Sequence, residues 1–153
     1  MSTNEVLTER HGKTLVITMN RPKANAINPQ FSRALYAVYD RLQKDDELVC
    51  GILMSGLDRI FSAGYDLKEQ AQEDWDPAAD FHPDTGLGPG GFGGMAENWA
   101  LDKPLIAAVH GAVVGGGFEM ALGCDVIIAA EDSYFLLPEM LRVGASAIVS
   151  DVS

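Results

Sequence analysis

This sequence contains few cysteines, and its cysteines and histidines are not spaced as metal ligands. Only two of the 153 residues are cysteine, Cys50 and Cys124, too few for the disulfide framework of a small secreted domain. Both lie in apolar runs, so we predict buried free thiols in a reducing compartment. The histidines His11, His82 and His110 show no metal-ligand spacing, so we predict structural or exposed roles for them and no metal site.

Basic residues and long apolar runs are also scarce. The chain has 11 Lys and Arg against 22 Asp and Glu, a formal net charge of −11. A nucleic-acid backbone is bound by clustered Lys and Arg, so we expect no nucleic-acid partner and no anionic membrane surface as partner. The longest uncharged stretch, residues 104–118, is too short and too rich in glycine to span a bilayer. The first residues lack the basic and apolar regions of a secretory signal, so we expect a cytoplasmic protein.

The composition that remains is that of one folded domain. Apolar residues make up 47% of the chain and charged residues 22%, which are ordinary values for a globular protein. A chain of this length can bury a substantial core without disulfides or metals. We therefore predict a single domain over residues 1–153.

Strand-like and helix-like segments alternate along the chain. Asn28 can cap a helix and Pro29 fits its first turn, so we predict that a helix begins there. Its apolar residues at helical spacing are Phe31, Leu35, Val38 and Leu42. We predict strands at 6–10, 14–19, 50–55, 105–109 and 126–129, of which the last four are mostly apolar and are expected to be buried. Strands separated by helices predict an α/β fold with a largely parallel sheet.

The texture changes between residues 69 and 102. This segment contains eight acidic residues, no Lys or Arg, three prolines and a glycine cluster, and we predict a loop or lid, or a disordered segment. Residues 86–91 match the glycine spacing of a dinucleotide-binding loop. That loop must follow a strand and begin a helix, which this match does not, so we expect no dinucleotide site.

Two glycine-containing stretches each follow a predicted buried strand. They are residues 61–68 (FSAGYDLK) and residues 110–119 (HGAVVGGGFE). In an α/β sheet, ligands bind where the carboxyl ends of strands meet helix N-termini, and glycine N–H groups there could stabilise a developing negative charge. Tight helix–strand packing needs glycine as well and is the alternative reading.

Two glutamates could carry acid–base chemistry at the same place. Glu119 follows the glycine run in the first turn of the predicted helix, and Glu139 comes 20 residues later, after an intervening strand. If both reach one dry cleft, their pKa values move apart and leave one as an acid and the other as a base. The alternative is that each is a solvated surface residue.

The stretches 20–26 (NRPKANA), 61–68 and 103–119, followed by Pro138 and Glu139, resemble the enoyl-CoA hydratase (crotonase) superfamily in order and spacing. Residues 23–27 and 88–92 are most similar to its carnitinyl-CoA dehydratase branch. The resemblance implies an α/β spiral of ββα units and a substrate activated as a coenzyme A thioester. Crotonase-family isomerases, hydrolases and dehalogenases share this frame and remain alternatives.

The resemblance also assigns residues. It implies that the backbone N–H groups of Tyr65 and Gly116 bind the thioester oxygen, and that Glu119 and Glu139 are the catalytic acid and base. It implies coenzyme A contacts from a set of loop residues, which are Lys23, Ala24, Ala63, Asp66, Leu67 and Lys68. No metal or redox cofactor is implied, since coenzyme A is part of the substrate.

The chain departs from the family after Glu139, where the expected proline and paired glycines are missing. The family's chains are longer, and their further helices complete the coenzyme A pocket and build trimers or dimers of trimers. We therefore expect that the C-terminal part of the family fold is absent here, and that homo-oligomers belong to the full-length form. A non-catalytic crotonase-like fragment is the alternative to an enzyme.

The acidic segment 69–102 suggests a charge preference for the acyl group. Its net charge of −8, with His82 neutral, could favour a cationic acyl group such as the trimethylammonium of carnitinyl-CoA. Aromatic faces for that cation could come from Trp75, Phe92 and Trp99. A solvated acidic lid without a substrate role is the alternative.

Overall fold

A computed structural model describes residues 5–70, 77–82 and 86–138 of the chain. The strands are β1 (Val6–His11), β2 (Thr14–Met19), β3 (Cys50–Ser55), β4 (Ile60–Ser62), β5 (Leu105–Val109), β6 (Ala112–Val114), β7 (Val126–Ala129) and β8 (Tyr134–Leu136). The helices are α1 (Pro29–Lys44), α2 (Leu67–Gln70) and α3 (Gly116–Leu122), with single 3-10 turns at Pro77–Phe81 and Phe92–Gly94. No helix among the described residues is long and apolar enough to cross a membrane.

The strands form two sheets, and from β3 onwards consecutive strands alternate between them. One sheet has the order β1-β2-β3-β5-β7 and the other β4-β6-β8. Only β1 and β2 pair antiparallel, and all the other pairings among the described residues are parallel. The pairs β3–β4, β5–β6 and β7–β8 each place one strand in each sheet, so the chain advances as a spiral. The predicted α/β fold is confirmed.

Helix α1 begins as its sequence predicts. The side chain of Asn28 accepts a hydrogen bond from the backbone N–H of Phe31, and Pro29 occupies the first turn, where its missing N–H costs nothing. The face of α1 towards the sheet is fully buried at Phe31, Leu35, Tyr39 and Leu42. Burying such side chains contributes about 1.5–3 kcal/mol each, so this face anchors α1 over the strands that lead to the site.

Two expectations about burial are wrong, and three strands were not predicted. Strand β7 was expected to be buried, but Val126 is 50% and Ile128 60% exposed, because β7 is the outer strand of its sheet in the described part of the chain. Cys50 is only half-buried, whereas Cys124 is buried, and both are free. The strands β4, β6 and β8 were not predicted, because three residues are too few to show a periodic pattern.

The described part of the acidic segment packs firmly against α1. A Cβ on Gly94 would lie 2.4 Å from the backbone nitrogen of Tyr36, and one on Gly90 would lie 2.5 Å from the Tyr36 ring. The Oγ of Ser32 accepts a hydrogen bond from the N–H of Gly93. Glycine is needed here because the turn at Phe92–Gly94 lies directly on the helix backbone.

Candidate active site

The two glycine-containing loops meet at the ends of β4 and β6. These strands are parallel neighbours, with Ser62 paired to Val113, so their carboxyl ends lie at the same edge of the second sheet. The sequence placed the loops directly after the strands now called β3 and β5. The structure corrects this, because β4 and β6 intervene and carry each loop to the shared edge.

The backbones of the two loops are in direct contact. Gly64 has a φ of 82°, and a Cβ at this position would lie 2.6 Å from the backbone nitrogen of Gly116 and 2.8 Å from the carbonyl oxygen of Val114. Only glycine fits, because any side chain would meet backbone atoms that cannot move aside. This contact brings the segment that carries Tyr65 against the start of α3, where Gly116 lies.

The ring of Phe92 covers the contact between Gly64 and Gly116, which we call the glycine junction. It stacks on the ring of Tyr65 with centroids 5.7 Å apart and an interplanar angle of 11°. A Cβ on Gly116 would lie 2.4 Å from Cζ of Phe92. The ring therefore packs against both residues whose backbone N–H groups the sequence singled out, and it shields them on one side.

A cleft of about 580 Å³ lies beside the Tyr65 segment. Its lining includes every residue to which the resemblance assigned coenzyme A contacts: Lys23, Ala24, Ala63, Asp66, Leu67 and Lys68. The 23–24 and 63–68 segments are far apart in sequence and are joined by backbone hydrogen bonds, such as the one from the N–H of Ala63 to the carbonyl oxygen of Ala24. The structure thus gathers the whole predicted set in one place.

An ion pair that sequence reasoning missed supports the floor of this cleft. Arg21 Nη1 donates to Asp66 Oδ2 and to the carbonyl oxygen of Ala26, both at 2.7 Å. The Asp66 carboxylate also accepts from the N–H of Lys68. Asp66, predicted to contact coenzyme A, is thus bonded to protein groups, and its signal was an arginine within the 20–26 stretch that received no role.

The two lysines of the cleft are the exposed cations at its rim. Lys23 is exposed and has a φ of 76°, a left-handed conformation that is uncommon for a residue other than glycine. Lys68 is exposed at the start of α2. Both ammonium groups can reach an anionic ligand in the cleft without leaving solvent.

Of the two predicted catalytic glutamates, only Glu119 lies within the described residues. Glu119 lies exposed in the first turn of α3 and lines a smaller cavity of about 250 Å³ with Phe92, Met95, Ala96, Met120 and Gly123. Glu139 lies outside the described residues. The meeting of the two carboxylates in one cleft therefore stays a prediction.

A third cavity of about 470 Å³ lies beside the acidic segment. The carboxylates of Asp80 and Glu97 are on its lining, together with Phe81, His82, Leu87, Gly88, Pro89 and Gly91. The hydroxyl of Tyr65 donates to Asp80 Oδ2 at 2.5 Å, which ties this cavity to the glycine junction. Of the three aromatic residues considered for a cation, Phe92 is at the junction, Trp99 is 87% exposed, and Trp75 lies outside the described residues.

Within residues 5–70, 77–82 and 86–138, no group of His, Cys, Asp and Glu side chains could hold a metal ion. His110 Nε2 lies 2.5 Å from the carbonyl oxygen of Leu57, so this ring donates to the backbone and ties two loops together. His11 lies beside Glu9 on the surface, and His82 is exposed.

Comparison with known proteins gives one family and consistent relatives. The model of the family described as enoyl-CoA hydratase/isomerase matches residues 9–149. Carnitinyl-CoA dehydratases from Citrobacter koseri and from Salmonella paratyphi B are each 46% identical over 130 residues, which is 85% of this chain and 47% of theirs. The chain thus spans about half the length of these relatives.

Solved structures agree with this match. The enoyl-CoA hydratase from Mycobacterium tuberculosis H37Rv superposes with a TM-score of 0.75 at 41% identity, covering 92% of this chain and 51% of the other. A carnitinyl-CoA dehydratase from Mycobacterium avium 104 superposes with a TM-score of 0.77 at 38% identity, covering 92% and 52%. The described spiral therefore has counterparts in solved structures about twice its length.

Proposed function

The chain belongs to the enoyl-CoA hydratase/isomerase family, and we propose that it forms the site that adds water to, or removes it from, an α,β-unsaturated acyl-CoA thioester. The observation that carries this proposal is the backbone contact between Gly64 and Gly116. It brings two loops together at the end of a parallel sheet, where the N–H groups of Tyr65 and Gly116 can both serve one oxygen atom.

Two such donors suit thioester chemistry. The α-carbon of a thioester loses or gains a proton readily only when the negative charge on the carbonyl oxygen is stabilised. Backbone N–H groups held in a site from which water is excluded do this without reorganising during the reaction. Phe92, stacked on Tyr65 and packed on Gly116, excludes water from one side of the pair.

The cleft of about 580 Å³ is proposed as the coenzyme A site. Lys23 and Lys68 on its rim can pair with the phosphates, and Ala24, Ala63 and Leu67 offer apolar contact. The Arg21–Asp66 ion pair holds the cleft floor. We assign Asp66 to this support, which keeps the cleft open towards an anionic ligand.

Glu119 and Glu139 are proposed as the acid–base pair. Adding water requires one group that handles the oxygen and one that handles the α-proton. Glu119 is on α3 one turn from Gly116, so its carboxylate is on the helix whose start holds the proposed oxyanion donor. No metal or redox group enters this chemistry, since coenzyme A arrives with the substrate.

The direct test is hydration of crotonyl-CoA by the wild-type chain and by Glu119→Gln. We expect turnover to fall by about 10²–10⁴-fold in the variant, because the amide keeps the volume but cannot transfer a proton. Glu131→Gln, at another exposed glutamate, is the matched control and should keep wild-type turnover. Equal activity of Glu119→Gln and the control would remove Glu119 from the mechanism.

The same assay separates the enzyme from its alternative. The chain spans about half the length of its relatives, which favours a non-catalytic binding fragment as the second candidate. A folded wild-type chain that binds crotonyl-CoA in a titration but gives no hydration product would establish that alternative. A shift of the double bond in a 3-enoyl-CoA would instead identify an isomerase.

We further propose that the acyl group is cationic, as in crotonobetainyl-CoA. The presence of Asp80 and Glu97 in the lining of one cavity supports this, as does the hydrogen bond from Tyr65 to Asp80. The relatives named carnitinyl-CoA dehydratase agree with it. Opposite charges near the reacting group raise the local concentration of a cationic substrate.

The selectivity is measured as kcat/KM for crotonobetainyl-CoA divided by that for crotonyl-CoA, at low and high salt. We expect the wild-type ratio to exceed one and to fall with salt, because screening weakens charge attraction. Asp80→Asn keeps an acceptor for Tyr65 and should lower the ratio, whereas Asp46→Asn on the surface should not. A ratio of one or less in the wild type would leave a hydratase for neutral acyl groups.

A further inference from the structure

A fully buried polar cluster lies beneath the glycine junction. Its members are the side chains of Asn25, Ser55 and Ser62, and the first and last of these have no exposed surface. Asn25 Nδ2 donates to Ser55 Oγ at 2.8 Å, and Ser62 Oγ donates to the carbonyl oxygen of Asn25 at 2.8 Å. The large majority of buried polar groups in proteins are hydrogen-bonded, and these are.

Ser62 contacts both of the loops that meet at the junction. Its Oγ accepts a hydrogen bond from the N–H of Gly64 at 3.1 Å. A Cβ on Gly117 would lie 2.6 Å from the carbonyl oxygen of Ser62 and 2.7 Å from its Cβ. Ser62 therefore restrains the loop before Tyr65 and is packed directly under the first turn of α3.

Asn25 fixes Ser62 from the other side. It holds a left-handed φ of 45°, a conformation that asparagine adopts more readily than most residues. Its Oδ1 accepts from the N–H of Arg21 at 2.8 Å, and its Nδ2 also donates to the carbonyl oxygen of Phe61 at 3.0 Å. The amide thus spans the 21–25 turn, the end of β3 and strand β4.

The backbone on either side of Asn25 is tied along the same loop. The N–H of Ala63 donates to the carbonyl oxygen of Ala24, and the N–H of Ile27 donates to the carbonyl oxygen of Gly64, at 2.9 and 2.8 Å. Ile27 also forms a parallel bridge with Tyr65. The 24–27 segment is therefore hydrogen-bonded along the Tyr65 loop, and the buried side chain of Asn25 holds this segment in place.

From this arrangement we propose that Asn25 and Ser62 are positioning residues that set the separation between the backbone N–H groups of Tyr65 and Gly116. The proposal rests on the proposed function, in which those two groups share the thioester oxygen. Ser62 contacts both loops, and Asn25 holds Ser62. Neither side chain touches the substrate, so each acts only through the backbone donors.

The test compares Ser62→Ala with Ser32→Ala in the 153-residue chain. Ser32 is the matched control, since it is also fully buried and its Oγ also accepts a glycine N–H at 3.1 Å, from Gly93. The two substitutions should lower the free energy of unfolding by similar amounts. Ser62→Cys, which retains a weak sulfur partner, provides a second variant should Ser62→Ala fail to fold.

The first measurement is the infrared stretch of crotonyl-CoA labelled at the thioester carbonyl, bound at saturation. Hydrogen bonds from two donors lower that frequency in the wild-type complex. In Ser62→Ala the frequency should return towards its value in free solution, with Ser62→Cys between, while Ser32→Ala keeps the wild-type value. A wild-type frequency in Ser62→Ala, or an equal change in Ser32→Ala, would overturn the positioning role.

The second measurement is hydrogen exchange at the Gly64 amide of the free chain, whose N–H donates to Ser62 Oγ. Ser62→Ala should speed this exchange about tenfold more than Ser32→Ala does, the factor that one lost hydrogen bond supplies. If the wild-type complex shows no lowered carbonyl frequency, the proposed function fails, and amide exchange alone then decides the positioning role. Unchanged exchange in Ser62→Ala would reject that role whatever the chain binds.

Discussion

At the scale of single residues, the site depends on positions where a side chain is impossible. Gly64 combines a φ of 82° with a backbone neighbour at 2.6 Å from where its Cβ would be. Gly12 has a similar φ of 60° in the β1–β2 turn, but a Cβ there would meet nothing within 4 Å. Comparing Gly12 with Gly64 therefore separates the free-energy cost of a left-handed backbone from the cost of a steric clash.

We predict that Gly12→Ala and Gly64→Ala differ in both stability and binding. Gly12→Ala should cost about 1–2 kcal/mol from backbone strain alone. Gly64→Ala should cost more and should weaken crotonyl-CoA binding, since the added methyl group pushes the Tyr65 loop away from Gly116. Urea unfolding and calorimetric titration measure the two effects. Equal stability losses, or unweakened binding by Gly64→Ala, would contradict the close contact seen here.

At the scale of elements, two buried titratable groups lie near each other, Tyr39 on α1 and Cys124 just after α3. Tyr39 on α1 is fully buried, and within the described residues its hydroxyl has no hydrogen-bond partner. Burial raises its pKa well above the ordinary value, and the nearby Cys124 adds to this. Burial, with a smaller effect of Asp125, likewise raises the pKa of Cys124 from 9.0 to about 12.

These shifts predict that the folded chain loses stability in alkali. Well below pH 9 both groups stay protonated in either state, so they give no pH dependence there. Between pH 9 and about pH 12 the unfolded thiol releases its proton while the folded one retains it. The free energy of unfolding should therefore fall by up to about 1.4 kcal/mol per pH unit for this group.

Urea unfolding between pH 8 and pH 11 measures this slope, and Cys124→Ala is its control. Loss of the thiol's volume lowers the whole curve by a constant, whereas loss of its titration makes the curve shallower. Tyr39 contributes to the remaining slope above its ordinary value of 10.0. Identical slopes for the wild type and Cys124→Ala would mean that the thiol is solvated in the folded chain.

At the scale of the whole molecule, apolar side chains are exposed where both sheets end. They lie at the end of α3 and on β7 and β8, namely Leu122, Val126, Ile128, Tyr134, Phe135 and Leu136, each at least 40% exposed. β7 and β8 are the outer strands of their sheets in the described part of the chain. An apolar surface beside an unpaired strand edge favours association.

We predict that the 153-residue chain self-associates through this end of the sheets. Sedimentation velocity over a range of protein concentrations should show species larger than a monomer. Ile128→Lys should shift the distribution towards the monomer, because a charge on an outer strand opposes pairing. Leu7→Lys, on β1 at the opposite edge of the same sheet, should not. A monomer at all concentrations, or equal effects of the two variants, would contradict this.

Local sequence by itself determined several elements correctly. Asn28 and Pro29 predicted where α1 begins, because capping and a fixed proline φ act within one turn. The continuous apolar runs gave β2, β3, β5 and β7 their observed bounds, because a strand between turns carries its own pattern. The resemblance carried by the loop motifs also named six residues that line one cleft.

Only the tertiary structure decided what those elements do together. The exposure of β7, the second sheet and the contact of Gly64 with Gly116 each depend on segments about 20 to 50 residues apart, and no local pattern encodes such packing. The same is true of Asn25, which the sequence shows only as one letter of a motif. Its amide links several segments because β3 and β4 place Ser55 and Phe61 within hydrogen-bonding distance of it. A polar side chain that contributes little to stability when it is solvated contributes much more once it is buried, because leaving it without a hydrogen bond is then costly.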